Sequence, residues 1–562
     1  MIERRKNPAG ILLTIILISA LLTVCLELGL NYLRPGTSGS IPKHLIHFTI
    51  MFTLLGGATL LCLFCPPFKK LWAWLDQHVM TAETRPITID ITYAVLAGLM
   101  LLHHFYVILY YPAVPSGATK FAPFWIILAA LTVILGKSWL ETTFRIAAVF
   151  LILNFERLYI EKLSITGETA VYFFSAVYAL FICLGVFSAL RPSVRKPFLQ
   201  VLCALWAFAS LALSIAGMYT AWTGTQISNL VGTTTHVEEG RLWIFAYPTI
   251  TAAFTGCGSI MALIGLSVSK RKSVKVLYLI ICFIIMIANA LPYARASIIT
   301  LAFMAAGTLC IGLWSIYRNQ RFGKITGKRT TLVIIALIFC FGACFYGAVE
   351  GQRALGTQFI EIRNSGNLIV PGAKAEAVLP DTSTEPDTAQ NPPEFEQRDI
   401  WFSENTDPNL TLSNRLLLWQ RARDCLYANP RVLLYGLSVD GNAVVEVVHE
   451  PHSHNLLIQI LLEGGLPALL LFLSLVFYGI FHAFRLLNRT GIPFWQRLLP
   501  LPMLSILLWE MVECVSHFSY GHPPMTLLWF FLGAIIAVSK SLGKASESTM
   551  VHPTSTAAKA GE

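Results

Sequence analysis

Stretches of about twenty mainly apolar residues, repeated along the chain, decide what this sequence can fold into. A helix needs about 20 such residues to cross a bilayer. Lipid satisfies no backbone N–H or C=O, so a chain built from such stretches folds as helices packed on one another. Fourteen candidate runs are read from the sequence: 11–30, 44–65, 90–111, 122–137, 143–160, 168–190, 198–221, 242–267, 275–291, 296–316, 330–348, 455–481, 498–513 and 523–540. Only 13% of the 562 residues are charged, against about 25% in soluble domains. The runs are therefore read as spans rather than buried core helices. The expected fold class is an all-α polytopic membrane protein with about 12–14 transmembrane helices.

A net charge of +10 would suit nucleic acid, but the cations are placed otherwise. With the N-terminus cytoplasmic, 26 of the 41 Lys and Arg residues fall in the alternate segments on that side. That is the bias expected of cytoplasmic loops, so no nucleic-acid partner is inferred, and both termini are read as cytoplasmic. The run at 11–30 has no convincing small-residue cleavage site after it and reads as a retained first helix. Ten of the twelve cysteines lie inside apolar runs and read as small hydrophobes. Cys425 and Cys514 lie outside or beside the runs, and a disulfide between them is one open possibility.

The chain then divides as follows. Residues 1–349 hold the first eleven spans. Residues 350–454 form one large outer loop. Within it, 371–408 is rich in Pro, Asp, Glu, Thr and Ala and reads as a flexible insertion, whereas 412–455 regains pattern and should contain short helices. Residues 455–541 hold the last three spans, and 542–562 reads as a disordered cytoplasmic tail.

Chemistry concentrates in 412–455. Ser413 or Asn414 suits the cap of a helix opening near Arg415, which Pro430 would stop. Arg415, Trp419 and Arg423 are spaced i, i+4, i+8 and are expected on one face. Arginine suits diphosphate, because its planar fork donates two hydrogen bonds to one phosphate. The same residues equally suit salt bridges with loop acids or contact with lipid phosphates. A short helix lying in the membrane interface fits the pattern. His454 and Asn455 stand where the loop meets the next span, with His452 two residues before. Imidazole accepts a proton near neutral pH, as general-base catalysis requires. A metal ligand, a cap or a surface histidine would fit the pair as well, but the spacing matches no metal motif. Asn455, Gln459 and Glu463 make one polar stripe on the following helix, which should face protein rather than lipid. Gly464, Gly465 and Pro467 allow close packing or a bend. Arg295, in Pro292-Tyr293-Ala294-Arg295, sits between two spans and needs a partner, an aqueous cavity or a lipid phosphate.

The large late loop, the arginine-bearing NRLLLWQRA, the junction HSHNLLIQILLEGGLPALLL and the short PYARASIITL together resemble the O-antigen ligase and polymerase superfamily of integral membrane glycosyltransferases. The resemblance implies a GT-C type fold in a bacterial inner membrane, with the loop in the periplasm. It implies an undecaprenyl-diphosphate-linked glycan as donor and lipid A–core, another glycan or a protein as acceptor. Membrane lipids are the remaining partner, and no cofactor or metal is implied. Carried over by position, His454 is the catalytic base, and Arg415 and Arg295 bind the diphosphate. Asn455, His452, Arg423 and Glu463 are secondary candidates. The expected reaction is inverting glycan ligation. Polymerisation onto a lipid-linked acceptor and protein O-glycosylation stay open, and a lipid-glycan transporter is the alternative of another class.

Overall fold

The computed structural model describes residues 85–109, 122–136, 182–223, 227–228, 234–238, 241–243, 248–290, 295–319, 412–437, 442–449, 453–512 and 523–550, with scattered positions in 143–147 and 331–354. The expected spans at 11–30, 44–65, 143–160, 168–190 and 330–348, and the insertion at 371–408, lie wholly or largely outside these.

The described chain is helical. In order come α1 (Ile87–Leu109), α2 (Ala122–Gly136), α3 (Val186–Ala189), α4 (Pro192–Thr223), α5 (Pro248–Val268), α6 (Lys272–Ala290), α7 (Arg295–Asn319), α8 (Leu412–Ala428), α9 (Pro430–Tyr435), α10 (Asn442–Val448), α11 (Leu456–Asn488), α12 (Phe494–Leu498), α13 (Pro500–Val512) and α14 (Pro523–Met550). Among the described residues, four helices are long and apolar enough to cross a membrane: Pro192–Thr220, Lys272–Asn289, Leu456–Asn488 and Met525–Gly543. Shorter apolar stretches at Ile87–Leu99, Ile127–Gly136, Ala252–Val268 and Ile299–Ser315 accompany them. This is a helical membrane protein.

Two features depart from the sequence reading. A small antiparallel meander, β1 (Ile227–Ser228), β2 (Thr234–Glu238) and β3 (Arg241–Trp243), lies between α4 and α5. Its register pairs Ser228 with Thr234 and His236 with Trp243. Leu242 and Trp243 therefore belong to a strand, and the helix expected from 242 begins at Pro248. The last helix also runs to Met550, into the stretch from 542 read as disordered. Lys544, Ala545 and Glu547 favour helix, and no proline intervenes before Pro553.

The main core gathers around α14. Phe530 meets Phe187 edge-on at 5.4 Å between ring centres, and Phe472 of α11 meets Trp529 at 5.9 Å. At one margin of this core lies a buried ionic cluster. Asp90, in the first turn of α1, is fully buried. It accepts from Arg85 Nε at 3.2 Å and from Arg191 Nε at 2.6 Å, and it forms a second, shorter bond with Arg85 Nη2. Arg85 also donates to the Ala189 carbonyl at 3.0 Å, and Arg191 donates to the Arg85 carbonyl. Two guanidiniums thus compensate one carboxylate and fasten α1 to the turn between α3 and α4.

α11 is two helices joined at a kink. Gly465 takes φ 71° and ψ −173°, outside helical space. Gly464 and Gly465 permit the kink, and Pro467 suits the first turn of the helix that restarts. From Leu466 to Asn488 the restarted helix rises about 33 Å, enough alone to cross a hydrocarbon core of about 30 Å.

Candidate functional site

Three short helices cap the start of α11. Leu418 and Ala422 of α8, Val444 and Val448 of α10, and Leu462 of α11 form a compact core of their own. Asn429 stands at the head of α9 with extended backbone (φ −133°, ψ 82°), because the following Pro430 excludes the helical conformation there. α9 ends at Gly436, whose φ of 68° calls for glycine. Leu437 N–H donates to the Leu462 carbonyl. A Cβ at Gly436 would overlap the backbone of Glu463 and Gly464, so the two chains meet without side chains between them.

The junction residues are held from both sides. Trp419 Nε1, half-buried on α8, donates to the Ser453 carbonyl at 3.0 Å. The Ser453 N–H donates to Gln459 Oε1 at 2.8 Å, and its hydroxyl donates to the Asn455 carbonyl at 2.9 Å. Asn455 caps α11: its Oδ1 accepts from Leu457 N at 3.0 Å and Ile458 N at 3.2 Å. Its Nδ2 donates to the Met511 carbonyl at 3.1 Å, tying the entry of α11 to α13. Gln459 Nε2 donates to Glu463 Oε1 at 2.7 Å. Asn455, Gln459 and Glu463 are all buried, so the polar stripe faces protein.

His454 lies between Ser453 and Asn455, half-buried, with φ 53°. A non-glycine residue in the left-handed region is uncommon and costs on the order of 1 kcal/mol or more. Here the hydrogen bonds on both neighbours hold the backbone in that conformation, and the backbone in turn sets where the imidazole leaves the chain. His449 shows the same conformation, at φ 59°, where α10 ends.

The arginines divide. Arg415 is half-buried and one turn before Trp419, so α8 brings its Arg415–Trp419 face against the residue preceding His454. Arg423 does not join them. It is exposed and forms a bond of 2.8 Å with Asp424, itself exposed. Successive i+4 steps turn about 40° round a helix, so Arg423 has rotated about 80° from Arg415 and out of the junction. Arg421, which the spacing gave no reason to single out, donates to the Val448 carbonyl at 2.9 Å and steadies the end of α10. Arg295 opens α7. The side chain of Arg295 and the whole of His452 lie outside the described residues.

Leu416 and Leu417 are exposed, and Cys425 and Leu426 are half-buried. Cys425 carries a free thiol whose pKa is raised by partial burial; Cys514 lies outside the described residues. Among the described residues no group of three His, Cys, Asp or Glu side chains is arranged to hold a metal ion.

No protein-family model and no curated protein matches this chain. The cap of α11 has used the N–H groups of Leu457 and Ile458. What the arrangement offers is a histidine on a fixed backbone, a cation one helical turn from the indole that grips the residue before it, and a run of buried polar side chains along α11.

Proposed function

We propose that the protein is an integral membrane glycosyltransferase of the O-antigen ligase type. It transfers a glycan from undecaprenyl diphosphate to a sugar hydroxyl of lipid A–core, on the periplasmic face of a bacterial inner membrane. One observation carries the reading: the Trp419–Ser453 hydrogen bond, which joins the arginine-bearing face of α8 to the residue before His454. In the reaction, His454 accepts the proton of the acceptor hydroxyl. The hydroxyl oxygen bonds to the anomeric carbon as the bond from that carbon to the diphosphate oxygen breaks. The leaving diphosphate takes the electron pair, and Arg415 and Arg295 stabilise its charge. Attack opposite the leaving group inverts the anomeric carbon. Asn455 and Glu463 act behind the imidazole, through Ser453 and Gln459.

The test is transfer by the purified protein in nanodiscs, with lipid-linked glycan as donor and lipid A–core as acceptor. His454→Ala should lower the rate about 10²–10⁴-fold, and Arg415→Ala should also abolish detectable ligation, with both variants still folded. Ligation at the parent rate by either variant would remove that residue from the mechanism. Product formed only with a second lipid-linked repeat as acceptor would make the protein a polymerase. Lipid-linked glycan moved across the bilayer and never joined to an acceptor would make it a transporter.

A further inference from the structure

The lipid-facing side of α11 gives the site a height. Below the kink its exposed large hydrophobic residues are Leu466, Leu470, Phe477, Phe481 and Phe484, recurring on one stripe. From Leu466 to Phe484 the helix rises about 27 Å, close to the hydrocarbon thickness of about 30 Å. Arg485 follows at once, its guanidinium carbon 5.8 Å from the centre of the Phe481 ring. A cation lying back along an aromatic ring is what the lipid–water boundary selects. The stripe thus fills one hydrocarbon thickness, and the kink at Gly465 marks its opposite edge. Above the kink, residues 456–464 expose none of their side chains fully.

α9 docks at that edge. Its end is bonded to the Leu462 carbonyl and lies against Glu463 and Gly464. Leu462 stands four residues before Leu466, across the kink, a separation on the order of one helical turn of about 6 Å, and the headgroup layer on each side of a bilayer is about 5–8 Å deep. α9 is therefore at headgroup height. Outward it exposes Leu433, at 37%, and Leu434, at 45%, beside exposed Arg431. Tyr427, two residues before the helix's Asn429, is 78% exposed. Leucines, an arginine and a tyrosine are the residues that the boundary between acyl chains and phosphates accommodates together.

We propose that α9 lies in the headgroup layer of the leaflet on the cap side, with Leu433 and Leu434 reaching the acyl boundary and Arg431 among the phosphates. The partner is the phospholipid leaflet itself. The inference rests on α11 spanning the membrane and not on the transfer reaction. Its consequence is that the cap of α11 is moored to lipid as well as to protein.

The test uses the full chain in phosphatidylcholine nanodiscs, with an environment-sensitive fluorescent amino acid encoded at Leu433, Leu434 or, as a deep reference, Leu470. Leu470 is 53% exposed, Leu434 45% and Leu433 37%, so position 434 carries the measurement and position 433 checks it. Headgroup-nitroxide lipid should quench 433 and 434 about twofold more than mid-chain-nitroxide lipid, as burial of about 5–10 Å predicts, and Leu470 should show the reverse. Probes at 433 and 434 that neither lipid quenches, or that follow Leu470, overturn the proposal. A photo-crosslinking residue at 434 should capture lipid; capture of a second copy of the chain overturns it too.

Discussion

Two buried polar clusters in this protein are built on opposite plans. Around Asp90, one carboxylate is met by the two guanidiniums of Arg85 and Arg191, and each arginine sends one further bond to a backbone carbonyl. Charge is compensated on the spot, and the backbone has no positive φ outside glycine there. At the entry of α11, the carboxylate of Glu463 accepts from an amide, Gln459, which passes the connection to Ser453. That cluster ends on a half-buried histidine in left-handed conformation. The first arrangement holds helices together. The second holds one residue in a conformation that costs energy, as the role proposed for His454 would call for.

The contrast makes quantitative predictions. The largest effect belongs to His454. His454→Ala should cut transfer about 10²–10⁴-fold. His454→Gly should lose as much activity yet melt no lower than the parent, because glycine takes φ 53° without a Cβ penalty. A Gly variant that keeps turnover would put the strain and the chemistry in different places. Next comes Asp90→Ala, which leaves the buried guanidinium of Arg85 facing the partly buried one of Arg191. It should cost about 3–5 kcal/mol of stability, read by thermal unfolding in detergent, while transfer per folded molecule stays at the parent value. A parallel loss of turnover would join the two clusters into one functional unit. Gln459→Ala removes the amide between Ser453 and Glu463. It should cost about 1–3 kcal/mol and lower kcat more than it changes KM, since donor and acceptor are not its contacts. Smallest is Asn455→Ala, worth about 1 kcal/mol as a lost N-cap. It should be visible as faster amide exchange at Leu457 and Ile458.

What could be read from the sequence follows the range of the forces involved. The apolar runs are local and long, so helices such as α4, α6, α11 and α14 were legible from them. The kink in α11 was legible because Gly464, Gly465 and Pro467 act through the backbone where they stand. The burial of Asn455, Gln459 and Glu463 followed from their spacing on an apolar helix. The Asp90 cluster was not legible: Asp90 and Arg191 are a hundred residues apart, and Arg85 and Arg191 read simply as loop cations. The β-meander was hidden because Leu242 and Trp243 extend an apolar run, and strand pairing, not hydropathy, separates them from α5. Within the site, spacing placed Arg415 and Arg423 on one face, but the accumulated rotation of the helix carries Arg423 out to Asp424. Arg421 left no local signal, because its partner is a carbonyl at the end of another helix.

The kink at Gly465 has a mechanical consequence. It divides α11 into a rod that belongs to the bilayer and a short stub that belongs to the cap. Leu462, on the stub, is clasped by α8, α9 and α10, and Asn455 at its start is tied to α13, so the stub is fixed to cap and bundle together. A rod that leaned in lipid would bend first at Gly465, and the ties above that joint would keep the backbone of residue 454 in its bearing to α8.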